Sequence, residues 1–192
     1  MDAFSPKSFL SLLKLRGSEY AYSSEQVPSE LLDEILSCAQ YSPSYLNVQP
    51  WEFVLVRDRQ RISDLVGCAK YGHFASLPNA IIAVVLKEGY WSEEFFRGIK
   101  EKKLGFYESF LSAGMPALCM SLAATDLSLA SCILTPDNEI AKRLLNAKHG
   151  DFVPLMVGIG YSAVSNKAPV GSRKPAHEVF SFELSRNHLH EN

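Results

Sequence analysis

Apolar positions in this chain fall into two patterns, stripes at helical spacing and short unbroken runs. Leu31, Leu32, Ile35, Leu36 and Ala39 recur at intervals of three and four, which predicts an amphipathic helix. Pro28 at its first position and Glu30 in its first turn suit a helix start, and Ser42-Pro43 should stop it near Tyr41. Phe9, Leu10, Leu12 and Leu13 predict a shorter helix, opened by Ser5-Pro6 and broken by Arg16-Gly17-Ser18. The unbroken runs at 53–56, 80–85, 129–134 and 152–159 read as strands, the first two covered on both faces. Residues 58–66 predict a short helix. Another follows Thr135-Pro136, with Ile140, Leu144 and Leu145 turned inward.

Three stretches break the pattern. Residues 91–108 mix aromatic and charged side chains and suit an exposed helix or a mobile lid. From 111 to 124 the chain is apolar nearly all round, with Ala113, Gly114, Ala117, Ala123 and Ala124 keeping it slim. Such a helix must be buried, either as the central helix of a monomer or at a dimer interface. Pro116 fits it only in a first turn; elsewhere it predicts a kink. Residues 162–178 read as loop, leading into a polar C-terminal arm over 162–192.

Size and charge then narrow the function. The 192 residues are 47% hydrophobic with no dividing linker, which predicts one domain over 1–192. A net charge of −2 with scattered Lys and Arg excludes a basic nucleic-acid or membrane-surface binder. No run reaches the roughly 18 apolar residues that span a bilayer. The N-terminus makes a poor signal peptide, so the cytoplasm is the expected location. The cysteines at 38, 68, 119 and 132 lack C-x-x-C spacing and read as buried free thiols; the histidines form no metal-binding set.

The most informative stretch is Pro43-Ser-Tyr-Leu-Asn-Val-Gln-Pro-Trp51, a polar turn between a helix and a strand. Asn47 and Gln49 each carry donors and acceptors, and the flanking prolines restrict the backbone that aims them. The turn suits a planar heterocycle with a polar rim, or is simply a stiff surface loop. No nucleophile–base pair, paired carboxylates or phosphate loop appears. Gly158-Ile-Gly160 lacks the third glycine of a dinucleotide fingerprint. Binding groups without catalytic machinery suggest that a cofactor carries the chemistry.

In order along the chain stand Arg16-Gly-Ser18, Ser42-Pro-Ser-x-x-Asn-x-Gln-Pro-Trp51, Ser128-Leu-Ala-Ser-Cys132, Val157-Gly-Ile-Gly-Tyr161 and Arg173-Lys-Pro175. Over residues 8–180 this order resembles the nitroreductase family of FMN-dependent oxidoreductases. The resemblance implies an α+β fold, a three-layer α/β/α sandwich around a mainly antiparallel sheet. It also implies an intertwined homodimer with two FMN sites, each built from both chains. Arg16, Gly17, Ser18 and Tyr20 would surround the FMN phosphate, joined by Arg173. Pro43, Ser44, Tyr45 and Asn47 would line the ribityl chain and ring. Ile133, Leu134 and Thr135 would lie along the ring edge near N5.

The implied reaction is ping-pong: NAD(P)H gives hydride to FMN, and a nitroaromatic, quinone or enone accepts the electrons. The chain departs from the family pattern at three places. Tyr20 replaces a second basic residue, Ser128 and Ala130 replace glycines and tighten the backbone, and Pro136 removes an N–H near the flavin. Two alternatives stand beside this reading: a flavin-binding module without turnover, which Tyr20 and Pro136 motivate, and another flavin reaction on the same scaffold, such as fragmentation or reductive dehalogenation.

Overall fold

The computed structural model describes residues 8–90, 106–164 and 171–181. Strands β1 (Trp51–Val56), β2 (Ala80–Leu86), β3 (Ala130–Leu134) and β4 (Phe152–Gly160) form one sheet in the order β1-β2-β4-β3, antiparallel throughout. Alternate residues of a strand point to opposite faces, and every residue of β2 is buried. One set, with Ile82 and Val84, meets α2 (Ser29–Gln40) and α4 (Phe106–Asp126) through Leu32, Ile35 and Met120. The other, with Ile81 and Ala83, meets α3 (Arg59–Gly67) and α5 (Asn138–Leu145) through Ile62, Leu65 and Leu145. The expected three-layer α/β/α sandwich around an antiparallel sheet is therefore present. A dimer is outside what a single chain displays.

Several local expectations change. The first helix, α1 (Phe9–Leu15), is capped by Ser8, whose hydroxyl accepts from the Ser11 N–H at 3.2 Å; Ser5-Pro6 lie outside the described residues. Residue 28 caps α2 and does not lie inside it. The cap of α5 is Asp137, accepting from Ile140 N–H at 3.0 Å, not Thr135-Pro136. Those two residues pair instead with the end of α3: Lys70 N–H donates to Thr135 O and Asp137 N–H to Cys68 O. A short helix, α6 (Ala176–Val179), stands where loop was expected. Of the cysteines, Cys68 and Cys132 are buried but Cys38 is exposed.

Helix α4 divides its apolar surface. Ala113, Ala117, Met120 and Ala124 are buried on the sheet, while Leu111, Met115 and Leu118 are 64%, 44% and 42% exposed. Pro116 sits mid-helix, and the helix runs unbroken through it. Proline offers no N–H to the carbonyl four residues back, which is that of Ser112. Of the 91–108 segment expected as helix or lid, residues 91–105 lie outside the described residues and 106–108 open α4.

The glycines of Gly158-Ile-Gly160 answer to packing. A Cβ on Gly160 would collide with Asn79 Oδ1 and the Tyr22 ring.

Candidate functional site

The first group of expected site residues forms where α1 ends. Arg16 is its C-cap, extended at φ −61° and ψ 125°, with its N–H on Leu12 O at 2.8 Å. After Gly17 the chain runs beside β3, Ser18 bridging Ser131 in parallel and Glu19 N–H donating to Ser131 O at 2.9 Å. Ser131 is fixed in turn by the Ser121 hydroxyl of α4 at 2.7 Å. Glu19 is occupied locally. Its carboxylate accepts from the N–H groups of Tyr20 and Ala21, both at 3.0 Å, and from the Ser162 hydroxyl at 2.5 Å.

Tyr20 packs edge-on against Phe74, with ring centroids 5.3 Å apart, and Phe74 stacks on the buried Tyr22 at 6.3 Å. Position 20 is thus an aromatic contact with a hydroxyl at its rim. Cys132 of β3 gathers the group electrostatically. Burial raises its thiol pKa, the Ser18 and Tyr20 side chains hydrogen-bond to the sulfur and lower it, Glu19 raises it and Arg16 lowers it. Arg16, Ser18, Glu19 and Tyr20 therefore all act on one buried sulfur. Ile133 and Leu134 continue β3 from that point to Thr135, half-buried, buried and exposed in turn. Two residues that the sequence reading missed belong beside this group. Lys70 is bound to Thr135 through its backbone, and Phe74 packs on Tyr20. Neither has a motif to announce it.

The second group is the turn before β1. Tyr45–Asn47 forms a 3-10 turn in which Leu46 and Asn47, and then Gln49, take left-handed φ of 48°, 56° and 49°. Left-handed backbone is uncommon outside glycine, and for leucine it is strained. Ser44 holds the turn closed: its hydroxyl accepts from Gln49 N–H at 2.8 Å and its carbonyl from Asn47 N–H at 3.0 Å. Gln49 Nε2 donates to Asn47 Oδ1 at 3.1 Å, so the two amides brace each other. Tyr45 N–H donates to the Ser112 hydroxyl of α4 at 3.1 Å, and between turn and helix opens a cavity of about 250 Å³. Pro43, Ser44 and Tyr45 form one wall; Glu108, Leu111, Ser112 and Met115 form the other.

These two groups do not meet within one chain. β1 and β3 are opposite edges of the sheet, three strand spacings or about 14 Å apart. Trp51 pairs with Leu86, at the end where β4 begins, whereas Ala130 pairs with Gly160, where β4 finishes. The two α4 serines that hold the groups, Ser112 and Ser121, are about 13 Å apart along the helix axis. Arg173, the last expected contact, is exposed and donates to Gly171 O at 2.7 Å in its own segment.

Among the described residues no cluster of three His, Cys, Asp or Glu side chains could hold a metal ion. No described helix is long and apolar enough to cross a membrane. The site therefore offers a guanidinium, hydroxyls, a rigid amide turn and an apolar cavity, a set suited to binding a charged, flat molecule. Residues 13–161 match the profile of the nitroreductase family, and the chain belongs to that family.

Among its relatives is a protein of Archaeoglobus fulgidus provisionally named NADH dehydrogenase/NAD(P)H nitroreductase, 36% identical over 40% of this chain and 43% of that protein. This chain thus matches about two fifths of that archaeal relative's length. The iodotyrosine deiodinase of Nematostella vectensis is 24% identical over 89% of this chain and 73% of its own. The fold is shared with a provisionally named nitroreductase of Desulfovibrio desulfuricans solved in complex with FMN. That structure is 25% identical, with a TM-score of 0.74 over 94% of this chain and 99% of that one.

Proposed function

We propose that the chain is an FMN-dependent oxidoreductase that draws hydride from NAD(P)H and reduces a nitroaromatic, quinone or enone. It would act as a cytoplasmic homodimer with two shared sites. The observation that carries this reading is the division of the binding groups between opposite sheet edges, beside an exposed apolar stripe on α4. A second copy packed on Leu111, Met115 and Leu118 would bring one chain's turn to the other's phosphate corner. The FMN held by the Desulfovibrio relative and the name of the archaeal relative support the cofactor and the hydride donor.

The residues fit FMN by their chemistry. Arg16 and Ser18 offer a guanidinium and a hydroxyl to a phosphate dianion, and Gly17 adds no side chain between them. Glu19, the acid that would repel the phosphate, is already bound to Tyr20, Ala21 and Ser162. The Tyr20 hydroxyl takes the place of a second cation, and Arg173 adds positive charge from the C-terminal arm. Pro43, Ser44, Tyr45 and Asn47 of the second copy would wall the ring, with Ile133, Leu134 and Thr135 along its edge. Bound FMN would supply the two-electron transfer; the chain would position it and exclude water.

Purified protein should be yellow and bleach when NADPH is added without oxygen. Arg16→Ala should lose FMN affinity by more than about 1.5 kcal/mol, read by flavin retention and titration. Unchanged retention would remove Arg16 from the site. Yellow protein that never bleaches would favour a binding module without turnover, the reading that Tyr20 and Pro136 motivate. Reductive dehalogenation is the second reading, supported by the deiodinase matching 89% of this chain. Iodide release from 3-iodotyrosine by the reduced protein tests it.

A further inference from the structure

The cavity between α4 and the 43–45 turn has apolar walls in Pro43, Leu111 and Met115, with Glu108 and Ser112 of α4 among them. Glu108 Oε2 is buried with no hydrogen-bond partner. One turn along, the Ser112 carbonyl has lost its helical donor to Pro116, while the Ser112 hydroxyl already accepts from Tyr45 N–H. A buried acceptor left unpaired is costly, and a carboxylate oxygen more so, so a ligand that brings N–H groups recovers that cost. A ligand that brings a second carboxylate meets like charge in apolar surroundings, where repulsion is strong. No cation among the described residues is hydrogen-bonded or ion-paired to this carboxylate.

The geometry points to Glu108 as the residue that sets substrate preference, favouring aromatic acceptors that carry an ammonium over neutral or anionic ones of the same shape. The inference rests on the reductase reading for what the cavity is used for, but the recognition itself is a property of the cavity. It can be measured without turnover.

Three probes share one ring and differ in charge: 4-nitrobenzylamine, 4-nitrobenzyl alcohol and 4-nitrobenzoate. Calorimetric titration of the purified protein should show the amine binding about tenfold more tightly than the benzoate, with the alcohol between. Glu108→Gln should bring all three within about twofold, and Glu108→Asp should keep the order. Equal binding in the wild type, an order that survives Glu108→Gln, or no binding of any probe would overturn the assignment. Turnover of the alcohol with NADPH is read separately. A protein that shows the charge preference and reduces nothing keeps this inference and sinks the reductase reading. A protein that reduces all three probes with equal KM, before and after Glu108→Gln, does the reverse.

Discussion

Ser128 shows how a single residue can depart from a pattern while the backbone does not. In the sequence it stands where a glycine is usual, which suggested a tightened turn. The structure instead gives Ser128 a left-handed φ of 61° at the end of α4. Ser128 N–H donates to Thr125 O at 3.3 Å and Leu129 N–H to Ala124 O at 2.7 Å, the paired bonds that close a helix C-terminus. Asn146 closes α5 in the same way at φ 54°. Ser128→Val should therefore destabilise the protein by about 1–2 kcal/mol, because a β-branched side chain resists this conformation. Ser128→Gly should be neutral or mildly stabilising, and urea midpoints check both. Leu46 and Gln49 were illegible for the same reason. No glycine marks them, and hydrogen bonds such as those of Ser44, which join residues up to five apart, hold their geometry.

Among the elements, strands and long helices were readable because burial imposes its period directly on the sequence. The unbroken apolar run of β2 and the stripe of α2 are the clearest cases. What escaped was pairing between distant segments. Nothing local says that 18–23 will lie along Ser131 and Tyr161, or that Lys70 will take the Thr135 carbonyl and leave capping of α5 to Asp137.

The same holds for the clasp joining β2 to β4. Buried Asp151 accepts from Lys87 Nζ at 2.6 Å, Glu88 N–H at 2.8 Å and Lys148 N–H at 3.1 Å, and Lys87 also pairs with Glu52 of β1 at 2.9 Å. Burial alone would raise the Asp151 pKa, but the bonds from Glu88, Lys87 and Lys148 outweigh it and hold the carboxyl below its usual range. Its stabilisation is therefore complete above the unfolded carboxyl value of about 4 and is lost as pH falls through the lower folded value. Asp151→Asn should cost about 3 kcal/mol at neutral pH and flatten the acid limb of a stability–pH curve. An unchanged acid limb would show that other carboxylates govern it.

For the whole molecule, the order of motifs along the sequence foretold the family and its layered fold, but not that the two groups of expected site residues lie at opposite edges of one chain's sheet. That separation follows from the strand order β1-β2-β4-β3, which no local pattern encodes. The exposed residues of α4 give the corresponding stability prediction. Leu111, 64% exposed in a single chain, should be covered in a pair. Leu111→Asp should convert a species of about twice 21.3 kDa into a monomer in sedimentation velocity, with loss of flavin. A wild-type chain that sediments as a folded monomer would remove the shared-site reading.

The distance between the two sheet edges would also govern how damage is inherited in the proposed pair. If each cavity is assembled from two molecules, a copy injured at Arg16 and a copy injured at Asn47 should each be useless with their own kind. Side by side in a mixed pair, they should concentrate both injuries in one cavity and leave the other whole.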